Sequence, residues 1–162
     1  MMHEERRILV IDDEAFVRDL LYDFFTKLKF DVVLAPDGNS GIAAFKESRF
    51  SLILVDLKMP GKSGIDVLRE LRQENADTPV IIMTGYPTVD SSIEALRLGA
   101  FDYIIKPFKL QELREVADRA IKEQELHQEI DTLRGRIVNI ERELRAYRAS
   151  AAEKGEPVIG DS

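Results

Sequence analysis

Five side chains of the 162-residue sequence stand where short apolar runs end and could act together: Asp12, Asp13, Asp56, Thr84 and Lys106. Carboxylates brought side by side repel, which is tolerable only when a cation neutralises them or some of them hold a proton. An all-oxygen cluster with few protein ligands suits Mg²⁺, which keeps several waters and takes one or two carboxylates together with a phosphate oxygen. Lys106 could pair with a carboxylate at rest and with a phosphoryl oxygen afterwards, and the Thr84 hydroxyl could donate to the same oxygen. A nucleophile, a metal and donors for the equatorial oxygens are the parts needed to move a phosphoryl group onto an aspartate.

Those residues meet only if a particular scaffold holds them. Short aliphatic runs alternate with longer amphipathic stretches up to about residue 110, the signature of repeated βα units and a parallel sheet. The spacing predicts strands at Ile8 to Ile11, Asp31 to Leu34, Leu52 to Val55, Val80 to Met83 and Tyr103 to Ile105. Helices are expected over Glu14 to Lys27, Gly38 to Glu47, Ile65 to Glu74 and Thr88 to Leu98, with another opening near Leu110. Unbroken runs such as Leu52-Ile-Leu-Val55 require burial on both sheet faces, so helices must cover each side. In such a sheet, ligands sit at the carboxyl ends of the strands, where all five candidate residues fall.

Beyond Leu110 the alternation stops, and about forty residues without proline read as one helix about 60 Å long. Leu126, Ile130, Leu133, Ile137, Ile140, Leu144 and Tyr147 follow a 4, 3, 4, 3, 4, 3 spacing, a heptad seam. With Ile130, Ile137 and Leu144 at a and the others at d, the pattern favours two parallel strands. In that arrangement Glu129 meets Arg134, Arg136 meets Glu141, and Glu143 meets Arg148 of a second copy, all attractive. An antiparallel pair would instead set Arg136 against Arg136 and Glu141 against Glu141. Each exposed pair is worth only ~0–1 kcal/mol, so charge selects orientation while the apolar seam supplies stability. The expected organisation is a globular domain over 1–120, a dimerising linker helix over 121–149 that continues the fifth helix, and a flexible tail over 150–162.

Composition removes several classes of function. The net charge of −7 and pI of about 5.0 oppose direct nucleic-acid binding by this chain. With no cysteine, disulfides, thiolate metal sites and cysteine nucleophiles are excluded. No apolar run approaches the length of a membrane span, so no membrane partner is expected and the cytoplasm is the expected address.

The stretches Ile8-Leu-Val-Ile-Asp-Asp-Glu14, Leu54-Val-Asp-Leu-Lys-Met-Pro-Gly61 followed by Gly64, Met83-Thr-Gly85, Gly99-Ala-Phe-Asp-Tyr103 and Ile105-Lys-Pro-Phe108 together resemble a response-regulator receiver domain over about Arg7 to Ala120. The resemblance implies an α/β, flavodoxin-like, doubly wound five-stranded sheet in the order 2-1-3-4-5, and a cis Lys106-Pro107 bond. It implies Asp56 as phosphoacceptor, Mg²⁺ bound by Asp13, Asp56 and the carbonyl of Lys58, and Asp12 acting through a bound water. Thr84 would be the switch hydroxyl, Lys106 the phosphate-pairing lysine, Tyr103 the aromatic that turns inward, and a sensor histidine kinase the partner. Such a receiver accepts a phosphoryl group and slowly loses it without being a turnover enzyme. The helix-four segment Gly85 to Ala100 and the coil after it are similar to activators working with the sigma-54 form of RNA polymerase. The ending Val-Ile-Gly-Asp-Ser162 resembles the opening of their AAA+ module, although no Walker A loop occurs.

Each element has a plainer reading. Asp12 and Asp13 alone would usually be helix N-caps, Asp56-Leu-Lys-Met-Pro-Gly61 could be a turn, and a strand tyrosine usually packs. A haloacid-dehalogenase-like phosphatase would also join Asp, Thr, Lys and Mg²⁺, but carries Asp-x-Asp after its first strand, whereas here the aspartates are adjacent. A stand-alone receiver and coiled-coil interaction protein is the other alternative. Tyr86, two residues after Thr84, is bulky and is expected to shield an acyl phosphate from water.

Overall fold

The computed structural model describes residues 6–74 and 77–157. The elements alternate as expected: β1 (Arg7–Ile11), α1 (Ala15–Lys27), β2 (Asp31–Ala35), α2 (Gly38–Glu47), β3 (Leu52–Asp56), α3 (Gly64–Glu74), β4 (Val80–Thr84), α4 (Val89–Arg97), β5 (Asp102–Ile105) and α5 (Leu110–Lys154). All strands are parallel, in the order β2-β1-β3-β4-β5. The order reverses between β1 and β3, the switch point where an open sheet leaves a crevice.

Every residue of β3 and β4 is buried, which is why these strands read as unbroken apolar runs. Side chains alternate between two cores. Leu9, Ile11, Ile53, Val55, Val80 and Ile82 pack with Ile42, Ile65, Leu68, Leu71 and Ala95 from α2, α3 and α4. Ile8, Val10, Leu52, Leu54, Ile81 and Met83 pack with Val17, Leu21 and Phe25 of α1 and with Leu113, Ala117, Ala120 and Ile121 of α5.

Most element ends fall within one residue of expectation, and those of β3, β4 and the last helix bear on the site and the linker. β3 and β4 each extend one residue further, to Asp56 and Thr84, because ladder pairing is a property of the backbone: Asp56 pairs with Met83, and Thr84 with Ile105. A reading that ends strands where apolar side chains end must stop short there. The last helix runs to Lys154 rather than Ala149, because no residue interrupts it before Gly155. Gly155 adopts φ +67°, and the amides of Gly155 and Glu156 donate to the carbonyls of Ala152 and Ala151 to close the helix.

The chain falls into two compact units, Met1–Gln124 and Glu125–Ser162. In the second, the seam residues Leu126, Ile130, Leu133, Ile137, Ile140, Leu144 and Tyr147 are each 44–55% exposed. Glu141 lies 3.9 Å from Arg145 of its own helix, a weak exposed pair. Gly135, five residues after the a-position Ile130 and so at f on the side away from the seam, has open space where a Cβ would stand. The Val158-to-Ser162 ending lies outside the described residues. No helix among the described residues is long and apolar enough to cross a membrane.

Candidate functional site

β1 and β3 are central neighbours, with Ile11 paired to Val55, so the following residues Asp12 and Asp56 arrive together at one rim. Asp13 follows Asp12, and one carboxylate oxygen from each of the three aspartates lies within 4.8 Å of the others. Asp12 is fully buried, Asp56 is 4% exposed and Asp13 is exposed, so the cluster opens to solvent on one side.

Asp12 has every atom partnered. Its amide continues the ladder to the carbonyl of Ala35 at 3.1 Å. One carboxylate oxygen accepts the Glu14 amide at 2.9 Å and the other accepts Lys106 Nζ at 2.8 Å. Its carbonyl accepts from the Arg18 guanidinium at 2.8 Å. The plainer N-cap reading does not hold: Glu14 stands at the N-cap of α1 without a side-chain cap bond, and Asp12 only closes a local turn onto the Glu14 amide while its second oxygen faces the cluster.

Lys106 reaches the rim because Ile105 pairs with Thr84, so the next residue emerges beside the acidic edge. Its Nζ lies 3.5 Å from Asp56 and 3.8 Å from Glu14, and the Lys106-Pro107 bond is cis. Burial works against the ammonium, but the hydrogen bond it donates to Asp12 and the charges of Asp12, Asp56 and Glu14 outweigh it and raise its pKa. Lys106 therefore stays cationic.

Burial drives the Asp56 carboxyl up to about 6, with the charge of Asp12 adding to the push and Lys106 opposing it. Three carboxylates against one ammonium leave two negative charges uncompensated, the charge of one divalent cation. The hard oxygen donors of Asp12, Asp13 and Asp56 fit such an ion, and Mg²⁺ in particular tolerates a site that leaves waters in place.

Thr84 is fully buried, one position beyond the residue paired with Asp56, and its Oγ1 accepts the Tyr86 amide at 3.0 Å. Tyr103 pairs with Ile82, two residues before Thr84 on the same sheet face, and its hydroxyl is 2.8 Å from Ser91 Oγ of α4. Lys58 is exposed in the loop after β3, with its ammonium 4.6 Å from the centre of the Tyr86 ring. The structure thus gathers Asp12, Asp13, Asp56 and Lys106, borders them with Thr84, and ties Tyr103 to α4.

Gly64 completes the loop after β3. Its amide donates to the Leu57 carbonyl at 2.8 Å, and a Cβ there would lie 2.4 Å from the Asp56 carbonyl oxygen. Sequence reasoning passed over Arg18, Glu14 and Ser91 as site neighbours. Glu14 sits inside a motif already singled out, and Ser91 follows Thr88 at capping-box spacing, but nothing in the local pattern of Arg18 marks its contact.

Residues 8–118 match the family model described as the response regulator receiver domain. The regulatory protein AtoC of Escherichia coli is 42% identical over 124 residues, covering 76% of this chain and 27% of AtoC. The chain therefore spans about a quarter of that relative's length. A receiver domain protein from Clostridium thermocellum superposes with a TM-score of 0.71 at 33% identity, over 75% of this chain and 98% of its own. NtrX from Brucella abortus gives 0.75 at 31% identity, over 80% of this chain and 30% of NtrX. With a matching model across most of its length and the acidic rim in place, the chain belongs to the response regulator receiver family.

Proposed function

We propose that Asp56 accepts a phosphoryl group from a sensor histidine kinase and that the protein is a cytoplasmic two-component signal receiver. The observation that carries this reading is a buried carboxylate, its proton affinity raised by burial and by Asp12, within reach of a lysine held cationic. With its carboxyl titrating at about 6, Asp56 is mostly ionised at neutral pH and available as a nucleophile. One of its oxygens attacks phosphorus as the bond to the histidine nitrogen breaks, and the imidazole leaves with the bonding pair. Lys106 then exchanges its contact with Asp56 for one to a phosphoryl oxygen, and the Thr84 hydroxyl turns from the Tyr86 amide to donate to another. Asp13, Asp56 and the Lys58 carbonyl would hold Mg²⁺, with Asp12 acting through a water; when bound, the ion neutralises charge gathering on the phosphoryl oxygens. Space vacated by Thr84 is taken by the Tyr103 ring, which alters the face formed by α4 and β5.

The seam from Leu126 to Tyr147 makes the protein a homodimer through a parallel coiled coil, since seven half-exposed apolar residues in heptad register find cover in a second copy. The output is control of transcription, of the sigma-54-dependent kind that the helix-four segment and coil resemble. Intact-mass analysis after incubation with acetyl phosphate and Mg²⁺ tests the chemistry: the wild type gains one phosphoryl mass and Asp56→Asn gains none. Equal labelling of the two would overturn it.

A further inference from the structure

We propose that Ser91 is the positioning residue of the Tyr103 switch, a hydroxyl latch that holds the aromatic ring against α4 until the phosphorylated site draws it away. The inference rests on the receiver reading and deepens it by naming what the switch must release.

Ser91 is the third residue of α4, and its Oγ has four polar neighbours: the Thr88 carbonyl at 3.1 Å, Thr88 Oγ1 at 2.8 Å, the Thr88 amide at 3.3 Å and the Tyr103 hydroxyl at 2.8 Å. A hydroxyl has one proton and two lone pairs, so it serves about three partners at once and four is one too many. The bond that caps the helix most directly runs from the Ser91 amide to Thr88 Oγ1 at 3.0 Å and does not use the Ser91 side chain. Tyr103 is therefore the partner that Ser91 can surrender without uncapping α4. A contact that can be given up cheaply and remade is what a reversible switch needs.

The position of Tyr103 supplies the other half. Its ring packs against the core on the α2, α3 and α4 face and lies in register with Ile82, two residues before Thr84. Thr84 in turn is held by the Tyr86 amide at the mouth of the loop leading to Thr88. Thr84 and Tyr103 are thus each tied, by one hydrogen bond apiece, to the same β4–α4 segment. Moving Thr84 toward the rim and Tyr103 into its place breaks both ties together.

A net hydrogen bond of ordinary strength biases an equilibrium about five-fold. While the latched form predominates, apparent affinity for a phosphoryl mimic is reduced by that factor. Calorimetric titration of the full chain with beryllofluoride and Mg²⁺ reads it. Ser91→Ala and Tyr103→Phe should each tighten binding about five-fold, and the double variant should show the same gain rather than about twenty-five-fold. Ser91→Thr, which keeps the hydroxyl, should retain wild-type affinity, and the gain in Tyr103→Phe, which leaves the Ser91–Thr88 capping box intact, is one that loss of helix stability would not give. Additive effects, unchanged affinity in Ser91→Ala, or Ser91→Thr behaving like Ser91→Ala would each overturn the latch. Phosphoryl labelling of Asp56 in all these proteins alongside unchanged affinities would remove the latch and leave the receiver reading intact, whereas a wild type that neither labels nor binds would remove both.

Discussion

Removing the charge of Asp56 should stabilise the protein at neutral pH, by an amount that depends on pH in a defined way. Its carboxyl is raised from 3.8 to about 6, chiefly by burial and then by Asp12. A group with a raised folded pKa favours the folded state when protonated, so its contribution is complete below the unfolded value and is lost as pH climbs through the folded one. A difference of about two units corresponds to ~3 kcal/mol at pH 7.5 and ~1 kcal/mol at pH 4.5. Asp56→Asn keeps the shape without the charge, and Lys106 retains Asp12 at 2.8 Å, so no buried cation is orphaned. In EDTA at pH 7.5 the variant should unfold about 10 °C above the wild type, and the gap should narrow to a few degrees at pH 4.5. Differential scanning calorimetry across that range is the assay. Mg²⁺ should raise the wild-type transition at pH 7.5 and leave Asp56→Asn nearly unmoved, since the ion offsets the repulsion that the substitution has already removed. Parallel pH curves for the two proteins, with a constant or absent offset, would refute the electrostatic account of the site.

Gly64→Ala should lower stability by ~1–3 kcal/mol in urea titration and slow phosphoryl labelling of Asp56, because its Cβ would sit 2.4 Å from the Asp56 carbonyl oxygen and 2.8 Å from Leu57 Cα, both backbone atoms. Tyr86→Ala should speed loss of the acyl phosphate several-fold by admitting water, as followed by intact mass over time; an unchanged rate would sink the shielding role of this ring beside Lys58. Arg72→Met should cost ~2–4 kcal/mol and raise amide exchange between α4 and β5, because the guanidinium donates to the carbonyls of Thr78 at 2.8 Å, Leu98 at 3.3 Å and Gly99 at 2.7 Å. Ile137→Lys, placing charge at a central a position, should convert the dimer to monomer in sedimentation velocity without altering Asp56 labelling.

The alternation of strands and helices was legible because parallel strands covered on both faces must be apolar throughout, and β3 and β4 are buried at every position. The charged members of the site were legible for the complementary reason: Asp12, Asp13, Asp56 and Lys106 break those runs at matching ends. Asp56 and Thr84 nonetheless belong to the ladder itself, a fact that side-chain polarity conceals. Contacts made by docked helices left no local trace. Arg18 reaches back from α1 to a carbonyl, and Ser91 meets Tyr103 across the α4–β5 connection; both depend on how a helix is seated rather than on its periodicity. The helix was expected to end at 149, where the heptad seam stops at Tyr147, whereas a helix needs no seam to continue and runs on until Gly155 takes the backbone geometry that closes it.

The alternation of side chains across the sheet divides the rim between two owners. Asp56 continues the register of Leu52 and Leu54 toward α1 and α5, while Thr84 and Tyr103 continue that of Val80 and Ile82 toward α2, α3 and α4. Under the proposed mechanism, the residue that takes the phosphoryl group and the aromatic that responds to it are therefore anchored on opposite faces of one sheet. Thr84, one position beyond the residue that pairs with Asp56, is then the one side chain of the second face that reaches across to the first, so in this mechanism any crosstalk between the two layers passes through a single hydroxyl.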